Sequence, residues 1–88
     1  MSYGLAVAGD AQLDWDTLDF EYQETVLDEL EHLAGRASAS PALVEMKFDL
    51  QFPIGDDVRH VTVEVFIGHA SRTVTIVGVR KFGFPGDL

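Results

Sequence analysis

Between Val44 and Phe52 the chain alternates without a fault: Val44, Met46, Phe48, Leu50 and Phe52 are apolar, and Glu45, Lys47, Asp49 and Gln51 between them are polar. Only a strand with one buried face accounts for a period of two held this long. A lone strand buries nothing, so the rest of the chain must supply a sheet and a cover for it. Val58–Ile67 reads as a second strand with Val61, Val63, Val65 and Ile67 on one side, and Arg59 shares their parity. A third strand follows, with Val74 and Ile76 on one parity and Thr75, Val77 and Val79 on the other. Ile54–Asp57 is a hairpin connection after Pro53 ends the first of these strands, and Gly68–Ser71 is another turn. Gly78, inside the last strand, marks a bulge or a close backbone approach.

The first half supplies the cover. Tyr3–Ala8 is a short apolar run closing at Gly9 and Asp10, which reads as a strand, with Asp10 placed to cap a helix. Ala11, Trp15 and Leu18 then share one face of a short helix, with a kink near Asp19. From Phe20 onward, Tyr22, Val26, Leu27, Leu30, Leu33 and Ala34 form a stripe of period 3.6, which Gly35 is expected to stop as an αL cap. Residues 36–41 are expected to form a polar loop ended by Pro41. The order β-α-α-β-β-β predicts an α+β fold, a helix pair on one face of a mainly antiparallel four-stranded sheet, with the other face open. At 88 residues the chain can build only one core, so 1–88 is expected to be a single domain with an irregular tail over 82–88.

Charge is divided as sharply as structure. Residues 1–35 hold nine acids and no Lys or Arg, whereas residues 36–88 hold six acids and six bases, giving the formal net charge of −9. That sign opposes RNA or a ribosome as a partner, and a basic site must be local. No cysteine is present, no run of apolar residues is long enough to span a membrane, and the opening residues lack the basic start of a signal peptide. The expectation is a soluble cytoplasmic protein with no membrane partner.

Metal and cofactor motifs are weak. Glu29 and His32 have an i, i+3 spacing but only one helix pair to draw ligands from, and Asp14 and Asp16 lack the glycine of a calcium loop. His60 points outward on a strand and His69 sits in a turn, without a recognisable nucleophile elbow, so both are read as solvated. The glycine-rich stretch beginning at Phe82 opens no helix, and therefore cradles no phosphate. No metal and no cofactor are expected. What remains is a set of cations on the meander: Lys47, Arg59, Arg80 and Lys81. The start of the second meander strand and the end of the third lie at one edge, where Arg59 and Arg80 are expected to converge as a phosphate grip. The competing reading pairs Arg59 with Asp56 or Asp57, and Arg80 with Glu64, in surface bridges worth roughly 0–1 kcal/mol each.

The short first strand, the helix pair ending over Val26–Ala34, the Arg59-opened strand Val58–Val65 and the closing strand Thr73–Arg80 together resemble the RelE/ParE superfamily of type II toxins, over almost the whole chain. The resemblance implies one of two functions. One is binding to a protein, a cognate antitoxin or a cellular target, with weak or absent nuclease activity; Phe82 and Phe84 would serve as protein contacts. The other is a metal-independent, ribosome-dependent mRNA endonuclease driving 2′-hydroxyl attack on the adjacent phosphate. In that case Arg59 and Arg80 would be catalytic, Lys47 a weaker counterpart, and Lys47, Arg59, Arg80 and Lys81 would contact RNA. Where such enzymes often carry a C-terminal tyrosine this chain has Phe82 and Phe84, which can stack on a base but transfer no proton.

Overall fold

The computed structural model describes residues 3–83. Strand β1 (Gly4–Val7) leads through a 3₁₀ turn (Gly9–Ala11) into helix α1 (Gln12–Asp16) and then helix α2 (Phe20–Ala39). Strands β2 (Glu45–Ile54), β3 (Asp57–Gly68) and β4 (Thr73–Phe82) form an antiparallel meander, and β1 joins it parallel to β4, giving the order β1-β4-β3-β2. Two helices therefore pack against one face of a four-stranded mixed sheet, as the pattern of periods anticipated. Among the described residues no helix is long and apolar enough to cross a membrane.

The core lies between α2 and the inner sheet face. Tyr22, Val26, Leu30, Leu33, Ala34 and Ala37 come down from the helix onto Val61, Val63, Val65 and Ile67 of β3 and Val74, Ile76 and Val79 of β4. Each valine, leucine or isoleucine so buried contributes about 1.5–3 kcal/mol. Met46, Phe48, Leu50 and Phe52 of β2 only flank this core, because β2 is an edge strand.

Three local expectations change. Gly35 does not stop α2: it lies on the exposed helix surface with nothing within 4 Å of an added Cβ, and the helix continues to Ala39. Ala37 is buried, so packing carries the helix past the glycine. Ser40 then leaves the helical region (φ −134°, ψ 81°), as a residue before proline must. Pro53 does not end β2, which runs to Ile54; on an edge strand a missing donor can face away from the ladder. Asp10 makes no side-chain capping bond; the residue preceding the 3₁₀ turn is Ala8. Gly55, at φ 60°, occupies the first of two turn positions between the paired Ile54 and Asp57, where a type II′ hairpin calls for glycine.

The suggestion that Gly78 marks a bulge holds. Opposite β3 the ladder runs Val65↔Ile76 and then Glu64↔Gly78, so Val77 is an extra residue with no partner. Below it the parity of β4 inverts: Val79 joins Val74 and Ile76 on the helix side instead of facing away from them.

His69 is not simply solvated. Its Nε2–H donates to the Leu43 carbonyl (2.7 Å), which can only accept, so its Nδ1 accepts from the Tyr3 hydroxyl (2.7 Å). One imidazole thereby ties the segment before β1, the α2–β2 connection and the β3–β4 turn together.

Two substitutions test this packing in urea melts. Gly35→Ala should stabilise the protein by about 0.5–1 kcal/mol, since it replaces glycine inside an exposed helix; an αL cap would give the opposite sign. Leu30→Ala, at a fully buried position, should cost about 2–5 kcal/mol.

Candidate functional site

The face of the sheet away from the helices is uncovered, and its register can be read row by row across β2, β3 and β4. Gln51, His60 and Phe82 form one row, Asp49, Thr62 and Arg80 the next, then Lys47, Glu64 and Gly78, then Glu45, Phe66 and Thr75. The opposite face carries Phe52 beside Arg59, Leu50 beside Val61 and Lys81, and Phe48 beside Val63 and Val79.

This register separates the two arginines. Arg59 shares the helix side with Val61, where its Nη1 donates to the Tyr22 hydroxyl (2.9 Å), and Tyr22 packs edge-on against Phe52 (4.7 Å between centroids). Arg80 stands on the open side, exposed and across from Thr62. Their expected convergence is thus corrected: the strand ends do meet at one end of the sheet, but the guanidiniums lie on opposite faces. The physical cause is the bulge. Were the ladder regular through Val77, with Val77 instead of Gly78 across from Glu64, Arg80 would keep the parity of Val74 and Ile76 and fall on the side of Arg59.

The remaining cations divide the same way. Lys81 lies on the helix side across from Val61, half-buried, while Lys47 is on the open side and pairs with Glu64 directly opposite (3.7 Å). Glu64 therefore goes to Lys47, not Arg80, and no carboxylate of the described residues forms an ion pair with Arg80. Arg80 instead lines a cleft of about 270 Å³ together with Asp10, Asp14 and Glu64. Asp10 and Asp14 are there because β1 stops opposite Ile76, and the following turn and α1 take its place along β4. Phe82 is 54% exposed on the open face beside His60; Phe84 lies outside the described residues.

His60 is not the solvated side chain expected from its parity. Its Nδ1–H donates to Asp49 Oδ2 (3.0 Å), and Thr62 Oγ1 donates to Asp49 Oδ1 (3.0 Å). The hydrogen bond from His60 is the main reason the Asp49 carboxyl is held below its ordinary value of 3.8, with Thr62 adding to it against a desolvation that opposes it. The hairpin register carries the signal for this contact: a two-residue turn at Gly55 and Asp56 sets Asp49 against Thr62 and Gln51 against His60, making Asp49 and His60 diagonal neighbours. Among the described residues no group of three His, Asp or Glu is arranged to hold a metal ion.

The depressed Asp49 value has a definite sign. Its contribution to stability is present above the unfolded carboxyl pKa and is lost as pH falls through the lower folded one. The stability difference between wild type and Asp49→Asn, followed by urea melts from neutral pH downward, should therefore shrink below about pH 4. A difference that stayed constant to acid pH would mean the His60 contact does not bias Asp49.

No protein-family model matches the chain, and no curated protein matches it. Solved structures do. The chain is similar to a double arginine-to-alanine mutant of the E. coli toxin RelE in the free state, at TM-score 0.62 and 16% identity, over 90% of this chain and 82% of that one. It is also similar to a chain of the intact E. coli RelBE toxin–antitoxin complex (TM-score 0.55, 16% identity, 94% and 100% covered). A third likeness is to the RelBE2 toxin–antitoxin complex of Mycobacterium tuberculosis (0.53, 18%, 96% and 95%). The chain has a RelE-like toxin fold.

Proposed function

We propose that this RelE-like chain belongs to a toxin–antitoxin type of system and works by binding another protein, an antitoxin or a cellular target, and not by cutting RNA. The observation that carries the reading is the separation of Arg59 and Arg80 onto opposite faces of the sheet. A transferring phosphate needs cations converging from one side, and here the open face offers Lys47 paired with Glu64, and Arg80 in a cleft with Asp10, Asp14 and that same Glu64. Long-range repulsion from a net charge of −9 acts in the same direction. The same face exposes Phe66, Val77, Val58 and Phe82, each 43–54% accessible, which suits protein contact. The RelE structures that resemble this chain include toxin–antitoxin complexes, which supports an antitoxin as the partner.

Two measurements test this. Fluorescence anisotropy with single-stranded RNA at falling salt should show no gain in affinity, whereas a grip on two phosphates would give a log–log salt slope of about −1.4. Co-expression with the product of the adjoining reading frame should yield a stoichiometric complex; a strictly monomeric protein beside an unbound neighbour would count against the reading.

One observation favours a metal-independent endonuclease as the second reading. Asp49 fixes the His60 tautomer with Nδ1 protonated, leaving Nε2 as the proton acceptor one row from Arg80 and across from Phe82. In that reading His60 takes the 2′-hydroxyl proton as that oxygen bonds to the adjacent phosphorus, the P–O5′ bond breaks to leave a 2′,3′-cyclic phosphate, solvent water protonates the departing 5′-oxygen, Arg80 steadies the phosphate and Phe82 stacks on a base. Growth arrest on induction that both His60→Ala and Arg80→Ala abolish would put this reading in place of the first; equal growth of all three strains is expected.

A further inference from the structure

A hollow of about 490 Å³ on the open face is a groove floored by Phe66 and Val77 and edged by Met46, Glu45 and the Lys47–Glu64 ion pair. Both floor residues are large and accessible, 48% and 44%. Val77 is there because the bulge leaves it unpaired, while Ile76 before it and Val79 beyond Gly78 both turn to the core. The groove does not end at Val77. That residue and Glu64 are also walls of the smaller cleft beyond, where Asp10 and Asp14 come over from the 3₁₀ turn and α1. An apolar trough therefore runs directly into a pocket with three carboxylates and one guanidinium.

This continuity commits the groove to one kind of occupant. An acidic segment or a nucleic acid would meet Glu45, Glu64, Asp10 and Asp14 against Lys47 and Arg80, a surplus of two carboxylates, on a body whose first 35 residues hold nine acids, Asp10 and Asp14 among them, and no Lys or Arg. We infer that the groove docks an amphipathic segment of a partner protein that lays a branched aliphatic or aromatic side chain on Phe66 and Val77 and extends a Lys or Arg between Asp10, Asp14 and Glu64. The inference rests on the protein-binding reading and names the chemistry of the partner: basic and apolar, the complement of this chain's own charge. Apolar contact supplies the affinity, and the carboxylates supply orientation and rejection of acidic competitors.

The test uses the full chain and two defined dodecapeptides, one alternating Leu with Lys and one alternating Leu with Glu, with binding followed by amide chemical shifts. The Lys peptide should move the resonances of Glu64, Phe66 and Val77, and the Glu peptide should not. Phe66→Ser should weaken Lys-peptide binding about tenfold, and the Asp10→Asn/Asp14→Asn/Glu64→Gln variant should do the same and remove most of the salt dependence. The control is Glu24→Gln/Asp28→Asn/Glu31→Gln on the exposed side of α2, which removes the same charge away from the groove and should leave affinity within about twofold. Equal loss in the control, shifts confined to α2, or equal binding of the Glu peptide would overturn the inference as mere charge attraction. If neither peptide binds while the co-expressed complex forms, the inference fails and the protein-binding reading stands.

Discussion

One unpaired residue in β4 sets the character of this molecule. A strand's side chains alternate between faces, so leaving a single residue out of the ladder exchanges the destination of every side chain beyond it relative to regular pairing. Val77 is that residue, and its exclusion from the pairing places Val79 in the core and Arg80 on the open face. The same irregularity leaves Val77 itself exposed, so the apolar floor of the open-face groove and the isolation of Arg80 from Arg59 have one cause. Gly78 accompanies the bulge with room to spare, since a Cβ there would sit at ordinary contact distance, 3.7 Å, from Glu64.

The electrostatic consequences follow from the faces. Arg59 and Lys81, on the helix side, are half-buried, and Arg59 is engaged with the Tyr22 hydroxyl. Lys47 and Arg80, on the open side, meet carboxylates contributed by β3 and by the segment that follows β1. A fold that in a basic protein could gather cations over a phosphate here surrounds its one open-side arginine with acids. This is why a likeness of fold to RelE toxins does not fix a ligand: the scaffold fixes where strands and helices lie, and the side chains on one face decide what it attracts.

The elements themselves were legible because their periods are clean. The alternation over Val44–Phe52 and Val61–Ile67 and the 3.6-residue stripe from Tyr22 to Ala34 each bury one face, and burial dominates local preference. Local preference misled where packing overrode it: Gly35 reads as a stop, yet Ala37 behind it has core to pack against, and the true terminator is Pro41 acting through Ser40. The two histidines were legible as polar positions but not as partners. His60 finds Asp49 through hairpin register, and His69 joins Tyr3 and Leu43 across 66 and 26 residues of sequence, distances over which periodicity carries no information.

The amino-acid sequence by itself determined the order of elements, the side of each regular strand that must be buried, and the concentration of negative charge in residues 1–35, because each depends on composition or on neighbours a few positions apart. Only the tertiary structure decided that Arg59 and Arg80 part company, that Asp10 and Asp14 come to lie beside Glu64, and that Phe66 and Val77 share one groove. Those outcomes depend on the relative register of three strands and on where β1 ends along β4, quantities set by the packing of the whole sheet against α2.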